Sequence, residues 1–283
     1  MGRKTALITG ATSGIGKATA AALGKAGFNL VLTGRNEQKG NLLTRNINKK
    51  YGVTAEFLKA DISSISEVKS FCTTVKDKYD NIDVLLNNAG ARFQNYFKSK
   101  DGIELTFATN YVGHFILTLC LLDLLKKSHD ARIINVSSGA HWKASPDINN
   151  ITNPANYDRR KAYGQSKLAL ILFTHELSEK LNGTNITVNA LDPGGVATNL
   201  GRNNGLVALA KHYLSYILRG TLVSPATAAD AIVYLSTSDE LKNISGKYFF
   251  RKKMTKSSEV SYDKKAEEDL WNLSLKIDGL TFN

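Results

Sequence analysis

The sequence is poor in the residues that mark several common classes of protein. Only two cysteines, Cys72 and Cys120, occur among 283 residues, and two isolated thiols make neither a disulfide framework nor a zinc site. Four prolines and no Ser-, Gln- or Pro-rich stretch argue against long disordered segments. No run of about 18 apolar residues is present, so no membrane-spanning helix is expected. Met1 to Leu7 lacks the apolar core of a signal peptide, which favours a cytoplasmic location.

The composition that remains is that of an ordinary globular protein with a basic surface. Hydrophobic residues make up 42%, and 37 Lys and Arg against 25 Asp and Glu give a net charge of +12. Such a balance can serve nucleic acid, an anionic membrane surface or a phosphorylated ligand. The densest basic cluster, Lys242 to Lys265, has neither an aromatic-interleaved basic helix nor zinc-finger spacing. We therefore expect a solvated surface and no nucleic-acid partner.

Short apolar runs alternate with segments of helical periodicity along the chain. Continuously apolar strands separated by helices of about ten or more residues are typical of a parallel sheet covered on both faces. Right-handed crossovers then give an α/β fold, a doubly wound parallel sheet with helices on both faces. No internal repeat or Pro- or Gly-rich linker is evident, so we expect a single domain over residues 1–283, in which 251–283 form a C-terminal extension that packs as a closing helix.

The same pattern places the individual elements. Strands are predicted over residues 5–9, 29–33, 54–58, 84–86, 132–136, 186–191 and 247–250. Helices are predicted over residues 15–26, from the second strand to about 50, then over 65–79, 102–126, 160–181, 206–218 and 226–235.

The first apolar run ends in a glycine-rich turn, with Gly10, Gly14 and Gly16 in the spacing G-x-x-x-G-x-G. The turn follows a strand and opens a helix, so backbone N–H groups and the positive helix end face an anionic pyrophosphate. Glycine is needed where a side chain would block close approach. The turn therefore predicts a dinucleotide site, and the alternative is a tight turn that holds no ligand.

The end of the second strand indicates which dinucleotide binds. A carboxylate there, about 20 residues beyond the glycines, would bind the ribose 2′-hydroxyl of NAD, but this sequence has Gly34, Arg35 and Asn36. The planar guanidinium of Arg35 suits a 2′-phosphate, so NADP(H) is the predicted cofactor, with Lys17 a weaker electrostatic contributor. The alternative is that Arg35 is one of many surface cations.

A tyrosine and a lysine one helical turn apart can supply acid–base chemistry. Of four Tyr-x-x-x-Lys matches, only Tyr163 and Lys167 begin an uninterrupted apolar helical run, which puts both groups on one helix face. Tyr157 follows a loop signal, Tyr96 precedes its helix, and Tyr248 lies in a predicted strand. A tyrosine with its usual pKa near 10 is a poor acid–base catalyst at neutral pH. Lowering that pKa by about 3 units requires roughly 4 kcal/mol of stabilisation of the phenolate relative to the neutral phenol. Lys167 supplies positive charge for that shift.

Together these motifs, in this order, resemble those of the short-chain dehydrogenase/reductase family. The chain is most similar to the retinol-dehydrogenase and oxidoreductase-like branch, on residues 135–141 and 166–169. The resemblance implies a Rossmann-type fold and hydride transfer between a nicotinamide and a carbonyl or alcohol. It rests on the turn at 9–16, the Asn-Asn-Ala-Gly sequence at 87–90, Asn110, Ser138, the 163–167 motif, and Pro193 with Gly194.

The resemblance assigns roles to the catalytic candidates Asn110, Ser138, Tyr163 and Lys167. Ser138, the second serine of a pair, is implied to hydrogen-bond the substrate oxygen and steady its developing charge. Lys167 is implied to hold the nicotinamide ribose as well. Asn110 is implied to distort its helix and anchor a water, although a mid-helix Asn can also simply cap or bend a helix.

Further residues of the cofactor site follow from the same resemblance. Asp61 is implied to lie beside the adenine ring, although Asp61 or Ser63 could instead cap the next helix. His141 either faces the substrate or is structural. The implied cofactor contacts are Gly10, Thr12, Ser13, Gly14, Ile15, Gly16, Arg35, Asp61, Ile62, Asn88, Ala89, Gly90, Tyr163, Lys167, Pro193, Gly194, Val196 and Thr198.

Departures from the family pattern bear on assembly and substrate. Residues 141–160 form a longer polar, Asn-rich segment than in the family's simplest members, and we expect a surface loop that covers the helix many relatives use to dimerise. A monomer is therefore favoured over a homodimer. The missing N-terminal anchor argues against a membrane-bound retinoid role. Apolar residues at 206–218 indicate either a lid over an apolar substrate or ordinary core packing.

The sequence thus predicts a metal-independent, NADP(H)-dependent oxidoreductase. Its expected partner is a small apolar carbonyl or alcohol of the aldehyde, ketone, steroid or retinoid-like class. One alternative is an NADP(H)-binding regulatory protein with little turnover, which a degraded Ser-Tyr-Lys set would favour. Another is a basic interaction protein, which the cluster at 242–265 keeps open.

Overall fold

A computed structural model describes residues 2–196 and 222–279 of the chain. These residues form a central eight-stranded sheet and a separate two-stranded ribbon. The strands are β1 Thr5–Thr9, β2 Asn29–Gly34, β3 Ala55–Lys59, β4 Val84–Asn87, β5 Ala131–Val136, β6 Ile186–Asp192, β7 Gly195–Val196, β8 Leu222–Val223, β9 Lys247–Phe250 and β10 Lys253–Thr255.

The order of strands in the sheet creates the crevice in which the site lies. The order is β10-β9-β6-β5-β4-β1-β2-β3, and every pairing but the last hairpin, β9 with β10, is parallel. After β3 the chain crosses β1 to form β4 on its other side, so strand order reverses beside β1. Loops diverge at such a reversal and leave a crevice beyond the carboxyl ends of the strands. The predicted fold class is confirmed.

Helices cover both faces of the sheet, as a parallel sheet with two apolar faces requires. One layer holds α1, α2 and α8, and the other holds α3, α5, α7 and α9. Within the described residues, none of the helices is long and apolar enough to cross a bilayer. The helices are α1 Gly14–Lys25, α2 Glu37–Tyr51, α3 Ile65–Lys78, α4 Leu105–Phe107, α5 Gly113–Cys120, α6 Leu122–Lys126, α7 Arg159–Lys180, α8 Pro225–Thr237 and α9 Lys264–Asp278.

The helix predicted over 102–126 begins later than expected and is irregular at two places. The buried carboxylate of Glu104 accepts hydrogen bonds from Thr106 N and Phe107 N, which caps the helix and delays its start. A π-helical turn, Ala108–Val112, then replaces the regular pattern, and the backbone breaks again at Leu121. The helix predicted over 206–218 lies outside the described residues.

The C-terminal extension does pack as a closing helix, α9, against α7. Trp271 of α9 meets the rings of Phe115 and Phe173 at centroid distances of 5.2 and 6.2 Å. Tyr111 and Ser274 join their hydroxyls at 2.8 Å across the same contact. The C-terminal helix thus covers part of α7.

Cys72 on α3 and Cys120 on α5 are free thiols, and the neighbouring Cys120 together with burial raises the pKa of Cys72. One further expectation needs correction. The segment at 141–160 is not wholly a surface loop, since Ile151 is buried in the main core. Burial of a single apolar side chain in the core can hold an otherwise polar segment against the protein.

Candidate active site

A cavity of about 630 Å³ opens at the carboxyl ends of β1, β4 and β5. The structure brings together all but two of the predicted site residues in its wall. Thr198 lies outside the described residues, and Asn110 lies behind the wall that they form. The residues that reach the cavity are Gly10, Thr12, Ser13, Gly14, Ile15, Gly16, Arg35, Asp61, Ile62, Asn88, Ala89, Gly90, Ser138, Tyr163, Lys167, Pro193, Gly194 and Val196.

The glycine turn forms a cradle that side chains would fill. Gly10 and Gly14 have φ of 66° and 52°, in the left-handed region that glycine tolerates best. A β-carbon on Gly16 would lie 2.4 Å from the carbonyl oxygen of Gly10, too close for any other residue. The turn thus leaves the start of α1 open to an anion.

The cavity wall at the far end carries two cations. Arg35 follows β2, and Lys39 lies in the first turn of α2, where Asn36 caps the helix by accepting from Lys39 N at 2.9 Å. Sequence reasoning missed Lys39, although its spacing of four residues from Arg35 on a helix start was a usable signal. Lys17, the other predicted contributor, is exposed and does not line the cavity.

Asp61 sits in the wall and does not cap α3. Its carboxylate accepts from the backbone N–H and the hydroxyl of Ser63, at 3.0 and 2.8 Å. This is an Asx turn, in which a short side chain folds back on its own backbone. The N-cap position of α3 belongs to Ser64, so the capping alternative for Asp61 and Ser63 is wrong.

Tyr163 and Lys167 lie one turn apart on α7 and both reach the cavity. The Lys167 ammonium lies 5.8 Å from the centroid of the Tyr163 ring and donates to the Val136 carbonyl at 2.8 Å. Burial lowers the pKa of Lys167 to about 8, and the charge of Asp192 opposes that shift. Arg92 adds a second cation, its guanidinium 6.0 Å from the same ring centroid.

The two adjacent serines have different environments. Ser137 is buried, and its hydroxyl donates to the main-chain carbonyl of Lys167 at 2.8 Å. Ser138 begins the 3-10 turn Gly139–Lys143, where its hydroxyl oxygen accepts from Ala140 N at 3.3 Å. Accepting that bond leaves the Ser138 O–H able to donate to a ligand oxygen.

Asn110 supports the wall from behind. It lies within the π-helical turn. Its side-chain oxygen accepts from Ala91 N at 2.8 Å, and its side-chain nitrogen donates to the Ala91 carbonyl at 3.0 Å. The same amide donates to Ser166 at 2.9 Å. The Asn110 main-chain carbonyl contacts His114 Nδ1 at 2.9 Å, and burial lowers the pKa of His114 to about 4, so this ring is neutral and donates.

The three rival tyrosines are held away from a lysine partner. Tyr96 donates to Asn153, Tyr157 to the Phe93 carbonyl, and Tyr248 to the Asp192 carboxylate. None of the three lines the cavity among the described residues.

His141 is structural. It is fully buried, and its ring nitrogens contact the Ser138 carbonyl and Ser258 N, at 2.7 and 3.2 Å. Both ring nitrogens are therefore used within the protein, and neither faces the cavity.

The cavity wall also includes the apolar residues Phe93 and Leu105, together with Thr109. These residues come from segments with no motif of their own, and only the folded chain brings them to the site. The predicted lid lies outside the described residues.

The comparisons with known proteins agree with this geometry. The family model described as short chain dehydrogenase matches residues 4–206. The chain is 39% identical to retinol dehydrogenase 13 of Mus musculus, over 98% of this chain and 84% of that protein. It is 36% identical to polyprenol dehydrogenase of Homo sapiens, over 98% and 86%. A crystal structure of a Mycobacterium paratuberculosis protein superposes with a TM-score of 0.77 at 28% identity, covering 99% of this chain and 95% of that one.

Proposed function

Because the chain belongs to the short-chain dehydrogenase family, and to its retinol-dehydrogenase-like branch, we propose that it transfers a hydride between NADP(H) and an apolar carbonyl or alcohol. Membership makes it a nicotinamide-dependent oxidoreductase; the choice of NADP(H), the catalytic residues and the substrate class are the proposal. The observation that carries it is the convergence of Tyr163, Lys167 and Ser138 on the cavity that the glycine turn opens.

The cavity fits a phosphorylated dinucleotide. The cradle at Gly16 leaves room for a pyrophosphate against backbone N–H groups. Arg35 and Lys39 would hold a 2′-phosphate, and no carboxylate stands at the end of β2 to bind a bare ribose hydroxyl. Pro193 and Gly194 would lie against the nicotinamide, which when bound supplies or accepts the hydride.

The chain's own residues would handle the proton and the substrate oxygen. Tyr163 would give its phenolic proton to a carbonyl oxygen, or take one from an alcohol. Two cations beside its ring, Lys167 and Arg92, favour the phenolate and so bring its proton transfer toward neutral pH. Ser138 would donate to the same oxygen and stabilise the charge that develops there.

An apolar substrate is favoured by the wall and by the relatives. Phe93 and Leu105 contribute apolar surface to the cavity that Tyr163 also lines. The relatives' names give retinol and polyprenol as what they act on, both of which are long apolar alcohols. Apolar walls bind such chains by removing their surface from water, at about 25 cal/mol per Å².

The test is a panel of aldehydes and ketones, including retinal, in which loss of NADPH absorbance reports turnover. Tyr163→Phe should lower kcat about 100- to 10,000-fold, the usual worth of a positioned acid, and leave NADPH affinity unchanged. Tyr96→Phe is the matched control, because Tyr96 also stands in a Tyr-x-x-x-Lys sequence but hydrogen-bonds Asn153. NADPH binding without turnover of any compound would favour the regulatory alternative, and full activity of Tyr163→Phe would refute the catalytic assignment.

A further inference from the structure

A buried carboxylate that belongs to no motif stands next to the site. Asp192 ends β6, immediately before Pro193 and Gly194, and is only 5% exposed. A carboxylate is seldom buried this far unless several donors compensate for the water it loses. The contacts of the Asp192 carboxylate therefore indicate its structural role.

The Asp192 carboxylate joins the two walls that flank the catalytic pair. Oδ1 accepts from Gly194 N at 2.9 Å, which fixes the turn after β6. On the other side, Oδ2 lies so close to the turn after β5 that a β-carbon added to Gly139 would approach it to 3.2 Å. Gly139 follows Ser138 directly, and both Ser138 and Gly194 line the cavity.

A third element locks the carboxylate in place. Tyr248 of β9 donates its hydroxyl to Oδ2 at 3.1 Å, and the Tyr248 ring lies 5.0 Å from that of His141. His141 in turn contacts the carbonyl of Ser138. The main chain adds a bond from Arg251 N to the Asp192 carbonyl at 2.8 Å. A charge-assisted network of this kind restricts both turns more than separate bonds would.

The geometry assigns Asp192 as a positioning residue, which sets the Pro193–Gly194 turn and the Ser138–Gly139 turn relative to each other and so places the nicotinamide end of the cofactor. The inference rests on the proposed function, since it concerns the same cavity. It predicts a local effect: the nicotinamide end depends on Asp192, whereas the Arg35 end, on the other side of β1, does not.

The groups around Asp192 act against the cost of burying its charge. Lys167, His141 and Tyr248 are the ionisable groups that face its carboxylate from α7, the 3-10 turn and β9, and the Arg251 guanidinium lies against the neighbouring Gly194. Burial raises the pKa of Asp192, while Gly194, Tyr248 and His141 act in the opposite direction. Its negative charge also raises the pKa of Lys167, which favours the ammonium that the mechanism needs.

Two binding probes separate the ends of the cofactor site. NADPH occupies both ends, and 2′,5′-ADP carries the 2′-phosphate but no nicotinamide. Asp192→Asn keeps the shape of the side chain and removes its charge. We expect it to weaken NADPH binding about tenfold, the usual loss for a charge-assisted hydrogen bond, with 2′,5′-ADP affinity unchanged and kcat lowered. Dissociation constants come from NADPH fluorescence and from calorimetry with 2′,5′-ADP.

Two variants complete the design. Tyr248→Phe retains the Asp192 carboxylate and removes one of its hydrogen-bond donors, so it should also lower NADPH affinity, by about threefold. It also tests the inference if Asp192→Asn does not fold. Asp77→Asn makes the same chemical change at an exposed carboxylate on α3 and should leave both affinities unchanged.

The outcomes are distinguishable. An equal loss of affinity for NADPH and for 2′,5′-ADP in Asp192→Asn would show a general effect on the fold and overturn the inference. Unchanged NADPH affinity in Asp192→Asn, or in Tyr248→Phe where that is the variant that folds, would also overturn it. If the wild-type protein binds neither probe, the cofactor assignment itself fails and the inference falls with it.

Discussion

Replacing Arg35 with aspartate should reverse the choice between NADPH and NADH. Arg35 and Lys39 share the wall at the end of β2, so the variant removes one of two cations there and places a carboxylate where a 2′-phosphate would lie. A carboxylate at this position can instead accept a hydrogen bond from the ribose 2′-hydroxyl of NADH. The change therefore acts on the two cofactors with opposite signs.

The magnitude follows from the position of Arg35. A hydrogen bond to a charged group is worth about 1.5–3 kcal/mol, which is roughly 10- to 150-fold in affinity. Arg35 is exposed and Lys39 remains, so the loss of NADPH affinity belongs in the lower part of that range. Repulsion of the phosphate and a gain of about 1 kcal/mol for NADH bring the total change in preference to about 100-fold or more.

The assay measures dissociation constants for both cofactors at two ionic strengths. Screening should reduce the NADPH effect at high salt, since the Debye length falls from about 30 Å at 0.01 M to about 3 Å at 1 M. Arg45→Asp is the matched control, because Arg45 is exposed on α2, the helix that follows Arg35, and is outside the cavity wall. Unchanged NADPH affinity in Arg35→Asp, or an equal loss in Arg45→Asp, would refute the assignment.

Two other substitutions test the site and the packing behind it. Ser138→Ala should lower kcat about 100-fold with NADPH affinity retained. Ser137→Ala removes a buried hydrogen bond to the Lys167 carbonyl and should lower the unfolding free energy by about 1 kcal/mol. Equal losses of kcat in the two variants would contradict the choice of Ser138. Trp271→Ala should cost about 3–5 kcal/mol in urea unfolding, because Trp271 is only 4% exposed, whereas Leu42→Ala, at 53% exposed, should cost little. A small loss of unfolding free energy for Trp271→Ala would show that Trp271 does not anchor α9 to the core.

The sequence predicts well those features that depend on local spacing. The glycine turn is an example, because Gly10 and Gly14 have positive φ and a β-carbon on Gly16 would meet the Gly10 carbonyl within the same turn. The choice of Tyr163 among four similar pairs also rested on a local pattern. Only that pair heads a long apolar helix, and in the structure most of α7 is buried and Tyr163 reaches the cavity.

Features that depend on distant contacts could not be read in this way. The π-helical turn that carries Asn110 is an example, since the Asn110 amide bonds Ala91, nineteen residues away, and only the family resemblance implied that Asn110 distorts its helix. Asp192 has an unremarkable sequence position, and its importance comes from Tyr248 and Gly139, which lie on other elements. Pattern reasoning has no access to such pairs, because hydrophobic periodicity reports which face of an element is buried and not which residues meet there.

The position of the catalytic pair depends on both sides of α7. Its inner side carries Tyr163 and Lys167, while Phe173, further along the same helix, packs under Trp271 of α9. A helix with one face in water could move toward that face at little cost, but α7 has neighbours on both sides in the described structure. Because a shift of about 1 Å in a reacting group can cost about 100-fold in rate, a rigid support behind α7 would contribute to the catalysis proposed for Tyr163 and Lys167. The C-terminal helix would thus support the proposed site even though none of its described residues lines the cavity.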